Sequence, residues 1–358
     1  MTNLSFLLIA FLLTMGGLCN AQCVPSDAVI ADVRALPGLP GSGEVVSFAF
    51  MDGVPIVVVD GIAWSQDAKT CEWAFALKMY DPSFFDDSFF MKNGRWFRRF
   101  ETGESFMLST EFADDFEFGS TVNDLILPDA SRYTSFVLLS PMAPTVPEYN
   151  ALRNCILSGT CDFLDNRIDF DPNGGRNNSQ SLKFYSVAPT PEMITAKCLV
   201  ERGMLYFAKG DSLWFSGWYK AQGSAPFTIV DFESSGIIYR PGFRVTIRNG
   251  LLSGELKWLD KPQYLQKPGS EIPFPLDQWV HVRVHIQFSE DEFGRVKIWQ
   301  DDTKVVDQRG RTLPTADSVI DFVQIGITAT PVESVLHVDD VQVSRIPISP
   351  RPPRRRTP

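Results

Sequence analysis

Four segments in the second half of the chain set side chains of useful chemistry at every second position. Ser212, Trp214, Ser216, Trp218 and Lys220 alternate with Leu213, Phe215 and Tyr219. A period of two puts the first set on one face of a β-strand and the second on the other. Indoles on a polar face suit stacking against the C–H faces of pyranose rings, and the competing reading packs Trp214 and Trp218 under a loop. Arg244 and Arg248 share one face of Phe243–Arg248, and His281, Arg283 and His285 share one face of Val280–Gln287. Guanidinium groups pair with carboxylates or sulfates through two parallel hydrogen bonds, so these rows suit an acidic polysaccharide. The plain alternative is a solvated outer sheet face.

The same alternation defines the elements that must hold these groups. Val280, Val282, Val284 and Ile286 give an apolar face, Glu292-Phe293-Gly294 gives a turn, and Val296 and Ile298 continue the apolar face on a second strand. Half-wet antiparallel strands of this kind build sandwiches and jelly rolls. The expected class is mainly β, with a C-terminal antiparallel jelly-roll sandwich and a smaller β-rich N-terminal domain.

Three stretches resemble the concanavalin A-like jelly roll of secreted polysaccharide lyases of the alginate, glucuronan and heparin lyase type. They are Pro275-Leu276-Asp277-Gln278-Trp279-Val280-His281, Gly294-Arg295-Val296-Lys297-Ile298-Trp299 and Leu336-His337-Val338-Asp339-Asp340-Val341. Ser181–Tyr185 and Tyr206–Gly217 are similar to early strands of that fold, and the likeness spans about residues 162–346. Lyase chemistry removes the proton α to a uronate carboxylate, which needs a donor to neutralise the carboxylate and a nearby base. The resemblance implies the donor role for Arg202, and among this chain's own residues His281, His285 or Tyr219 could substitute as the base. It also implies a structural calcium at Asp339, against a simple Asp pair bonding turn amides.

The chain departs from those lyases at two motifs. Ile229-Val230-Asp231-Phe232-Glu233 stands where a Gln-x-His strand is expected, and Phe322-Val323-Gln324-Ile325-Gly326-Ile327 keeps the glycine of a Tyr-x-Lys-x-Gly-x-Tyr strand without its tyrosines or lysine. The usual catalytic set is therefore incomplete. Three readings follow: a secreted protein binding an acidic glycan, an active lyase cleaving uronate polymers by β-elimination, or a structural or adhesion protein of an extracellular layer.

Residues 1–21 carry no charged side chain and hold the apolar run Leu7–Leu13, as a secretory signal does. That run is shorter than the ~20 residues needed to span a bilayer, so no transmembrane segment is expected and the location is extracellular or periplasmic. Beyond the signal stand Cys23, Cys71, Cys155, Cys161 and Cys198. Oxidising conditions suggest two disulfides, with Cys155–Cys161 closing a short loop and Cys23–Cys71 tying down the new N-terminus. Asn177-Asn178-Ser179 is a glycosylation sequon in a eukaryotic source.

The net charge of -10 is uneven, with 22 acids and 10 bases in residues 24–170 against 21 and 18 in residues 171–344. The near-neutral second half leaves room for a local basic groove, and nucleic-acid binding is not expected. Removing the signal still leaves more than one usual domain. The expected divisions are a linker at 22–43, a β-rich domain at 44–140, a connector with a short helix at 141–161, the jelly roll at 162–346 and an Arg/Pro tail at 347–358. Val45–Phe50 and Ile56–Val59, split by Asp52-Gly53, read as a hairpin. Ten phenylalanines between Phe84 and Phe118 read as a small domain core or as an aromatic sugar surface.

Overall fold

The structure is a computed structural model. Side chains are described for residues 108–126, 132–234, 241–258, 260–316 and 318–348, together with the backbone of strands lying between residues 45 and 107. Cys23, Cys71, the signal segment and the tail beyond residue 348 lie outside the described residues.

The chain divides into two compact units, residues 1–76 with 91–94, and residues 77–90 with 95–358. Strands β1 (Val45–Met51), β2 (Val54–Val59), β3 (Ile62–Gln66) and β4 (Trp73–Lys78) pair in sequence order. β1 and β2 pair antiparallel with Met51 opposite Val54, in agreement with the expected hairpin. A second small sheet joins β5 (Phe89–Lys92), β6 (Arg95–Arg99) and β7 (Ser105–Met107).

The remaining strands form two antiparallel sheets. They are β8 (Phe112–Asp114), β9 (Ser135–Leu139), β10 (Arg167–Asp171), β11 (Ser181–Ser186), β12 (Ala196–Arg202), β13 (Ser212–Gln222), β14 (Thr228–Ser234) and β15 (Arg240–Arg248). After them come β16 (Leu251–Leu256), β17 (Gln263–Tyr264), β18 (Val280–Gln287), β19 (Arg295–Gln300), β20 (Thr303–Arg309), β21 (Phe322–Thr330) and β22 (Ser334–Ser344). One sheet has the order β10-β11-β22-β13-β18-β19-β20, with β8 also on β22; the other has the order β17-β16-β15-β14-β21-β12-β9. One helix, α1 (Val146–Leu157), starts with Pro147 in its first turn, and the Glu148 carboxylate accepts hydrogen bonds from the Thr145 amide at 2.9 Å and hydroxyl at 2.6 Å.

The inward sides of both sheets share one core. Phe184, Phe215, Tyr219, Val282, Ile286 and Val338 of one sheet, and Phe232, Phe243, Val245 and Ile325 of the other, belong to a single buried cluster. Phe215 meets Phe232 edge-on across the interior at 5.7 Å. The mainly β sandwich is as expected, but it begins upstream of residue 162. β8 pairs with β22, and β9 is the outer strand of the second sheet. Phe112 and Phe116 are accordingly core residues, whereas Phe118 is exposed. Cys155 and Cys161 are disulfide-bonded at the end of α1, and Cys198 is free and buried. Among the described residues no helix is long and apolar enough to cross a membrane.

Gly326 of β21 leaves no room for a side chain. Its φ is +122°, and an added Cβ would lie 2.8 Å from the Phe184 ring and 2.9 Å from the Cys198 carbonyl oxygen. Gly326→Ala is expected to lower stability by about 1–3 kcal/mol through overpacking and backbone strain. Urea denaturation followed by tryptophan fluorescence checks this, and an unchanged midpoint would refute it.

Candidate functional site

The sandwich has two outward faces, and the residues singled out above are divided between them. On the larger sheet, register places Trp214 opposite His285, Ser216 opposite Arg283 and Trp218 opposite His281. On the next strand Lys220 stands opposite His337. Trp214, Trp218, Lys220, His281, Arg283 and His285 therefore do share one face. Arg244 and Arg248 do not join them. They alternate with the core residues Phe243, Val245 and Ile247 on the other sheet, so they point out of the opposite side of the sandwich. A single groove lined by all three rows is ruled out.

The rings on the larger sheet engage one another. Trp218 stacks on His281 at 4.6 Å with 5° between planes, and the Arg176 guanidinium lies 3.5 Å from the Trp218 ring centroid. His281 comes from the strand on one side, and Arg176 from a loop fastened to β22 on the other, so the indole lies between them. Trp214 stacks on His285 at 4.2 Å and lies 6.0 Å from Trp299. This is a ladder of self-stacked planes, and Trp218 offers no free π face to a sugar.

The proposed bases are also displaced. Tyr219 points into the core, and burial pushes its phenol far above the ordinary value. His281 is 7% exposed and its Nε2 lies 2.7 Å from Ser216 Oγ. Burial first, then Arg283 and Arg176, lower its pKa from 6.5 to about 4. His285 is likewise lowered to about 4 by burial, then Lys297 and Arg295. Imidazoles with so little affinity for a proton are poor bases for a weak carbon acid.

Arg202 follows the inward parity of Cys198 and Val200 on β12 and is buried, with Nη1 donating to the Arg132 carbonyl at 2.9 Å and its guanidinium 5.0 Å from the Phe112 ring. It braces the chain instead of facing a substrate. Asp339 Oδ2 accepts from the Arg176 amide at 2.9 Å and from Ser179 Oγ at 3.1 Å, while Arg176 pairs with Asp340 at 3.3 Å. A guanidinium beside carboxylates already engaged does not fit a calcium site. Among the described residues no group of three or more His, Cys, Asp or Glu stands ready to hold a metal ion.

The seven-stranded sheet carries a different arrangement. Ser135 of β9 pairs with Glu201, Glu201 with Gln324, Gln324 with Asp231, Asp231 with Arg244, Arg244 with Glu255, and Glu255 with Gln263. One polar row thus crosses all seven strands in register. Strands lie about 4.8 Å apart, so its six steps span roughly 29 Å.

Along the row, the polar groups bond to one another and to cations beside it. Gln324 Nε2 donates to Glu201 Oε1 at 2.7 Å, and Arg244 Nε donates to Glu255 Oε1 at 3.0 Å. Arg248 also pairs with Glu255. Lys257 donates to Asp231 Oδ2 at 2.7 Å and also contacts Glu233. Burial opposes ionisation of Asp231, but the Lys257 and Lys197 cations, with hydrogen bonds from Lys257 and Thr328, outweigh it and hold the carboxyl below its ordinary range. The amide oxygen Oε1 of Gln324 is buried and has no hydrogen-bond partner.

At the β9 end the row opens into a cavity of about 310 Å³. Val137, Leu139, Pro144, Val146 and Tyr149 line one part of it, and Lys197, Glu201 and Gln324 the other. The three strands that the resemblance singled out, β12, β21 and β14, are direct neighbours. Glu201, not Arg202, faces outward, and the alternation of Lys197, Leu199 and Glu201 with Cys198, Val200 and Arg202 carried that signal. Lys257 and Tyr149 had no sequence signal, since one follows a strand end and the other sits on a helix.

These features define a jelly-roll sandwich with a polar track across one sheet. Residues 164–341 match the family described as Polysaccharide lyase, and this part of the chain is polysaccharide lyase-like in fold. Similar solved structures include an endo-β-1,4-glucuronan lyase from the fungus Trichoderma reesei, at 16% identity over 51% of this chain and 88% of that one, TM-score 0.40. A cellulose-induced protein is similar at 12% identity over 66% and 97%, TM-score 0.42, and an alginate lyase from a Chlorella virus at 11% over 60% and 100%, TM-score 0.32. No curated protein matches the chain.

The histidines set a pH dependence. His281, His285 and His337 all sit near 4 in the folded chain against an ordinary 6.5, each chiefly through burial. The unfolded chain therefore binds more protons in that window, and stability present above pH 6.5 is lost as pH falls toward about 4. Asp339 acts in the opposite sense, because burial lifts its carboxyl from 3.8 to about 6. Three imidazoles against one carboxyl leave a net loss. The urea midpoint is expected to fall across this range, less steeply in His281→Gln; an equally steep fall in that variant would remove His281 from the account.

Proposed function

We propose that this chain is an exported polysaccharide-binding protein whose glycan lies across the seven-stranded sheet, along the row from Ser135 to Gln263. The observation that carries this reading is the unbroken register of seven polar side chains, each backed by core residues. The row's less buried members, Ser135, Glu201, Gln324, Arg244 and Gln263, offer donors and acceptors to a linear chain rich in hydroxyl groups. The acidic glycan expected from Arg244 and Arg248 has less support, because both guanidinium groups are paired with Glu255. A uronate would have to displace a buried carboxylate. A neutral or sparsely charged glycan is the better fit. The signal-like residues 1–21 and the Cys155–Cys161 bond support an exported chain.

A second reading, β-elimination on a uronate polymer, is favoured by one observation. Tyr149 and Lys197 flank Gln324 in the cavity, and a phenol and an ammonium are groups that such a reaction uses. The row itself contains neither imidazole nor phenol.

A glycan array with neutral and uronate polymers tests the first reading. Saturable binding to a neutral chain, weakened by Gln324→Ala about fivefold to tenfold for the lost hydrogen bonds, is the expected result. No binding to any polymer would overturn it. Ultraviolet absorbance of unsaturated products is expected to stay flat on every uronate polymer; a rise abolished by Tyr149→Phe would install the lyase reading instead.

A further inference from the structure

We propose that the cavity beneath α1 is a subsite for a single terminal pyranose, so that the protein recognises the end of a glycan chain and not its interior. This rests on the placement of the glycan along the polar row. The row ends at β9, the outer strand of the sheet. There α1 lies over the outward side chains. Arg153 Nη1 donates to Ser135 Oγ at 2.7 Å, which occupies the row's last polar position, and Val146 and Tyr149 face Val137 and Leu139 across the cavity. A chain laid on the row from the β17 side runs into this helix and cannot continue past it.

The lining matches one sugar ring. A pyranose presents C–H groups on its faces and hydroxyls around its edge. The cavity offers an apolar and aromatic part from α1 and β9, and a polar part from β12 and β21. The polar part has complementary valences. Lys197 supplies donors, Glu201 accepts, and the Gln324 side chain lines the cavity beside them. At about 310 Å³ the cavity lies at the small end of the ~300–1,000 Å³ range of ligand pockets, which favours one ring over several.

Calorimetric titration with size-fractionated β-1,4-glucan and β-1,4-glucuronan oligosaccharides tests the assignment. End recognition predicts one protein bound per glycan chain at every length. A number of bound proteins that grows with chain length would overturn it while leaving the row reading intact, whereas absence of binding to any polysaccharide would overturn both. Val146 is 57% exposed, so Val146→Trp is expected to fold while filling the cavity. This variant is expected to weaken binding at least about tenfold at all lengths. Unchanged binding of long chains by the variant would also overturn the subsite.

Discussion

The shared interior of the two sheets is the constraint from which the outer surfaces follow. Each strand commits every second side chain to that interior, and the commitment fixes register, because a slip of one residue would bury the polar set. Phe215 meeting Phe232 and Gly326 lying against Phe184 are local expressions of the same rule. The polar row is its complement. Glu201, Gln324, Asp231 and Arg244 line up because Val200, Ile325, Phe232 and Val245, their chain neighbours, are held in the core.

Electrostatics then determines what each face can do. On the seven-stranded sheet, buried Glu255 and Asp231 are matched by Arg244, Arg248 and Lys257. Removing one partner from such a group leaves a buried charge uncompensated, so the face is held as a unit. On the larger sheet the planar side chains satisfy each other. Arg176 over Trp218 and His285 on Trp214 make that surface rigid and partly closed.

Much of the fold was legible because it is local. The period-two alternation of Val280–Gln287 and Ser212–Lys220 gave strands and their two faces. The short helix expected within residues 141–161 is α1. What could not be read was which strands lie side by side, because that pairing joins residues far apart in the chain. Arg244 and Trp214 look alike as outward residues, yet nothing in either strand says which side of the sandwich it faces. Arg202 was misplaced by trusting a motif over parity. Tyr149 was invisible because its role depends on a helix docking against an edge strand.

The Cys155–Cys161 link closes the chain just where α1 ends. The last turn of the helix is therefore tied to the residues that follow it. Such a short closed loop opposes fraying at that end, so the length of the wall that Val146 and Tyr149 belong to is set covalently as well as by packing.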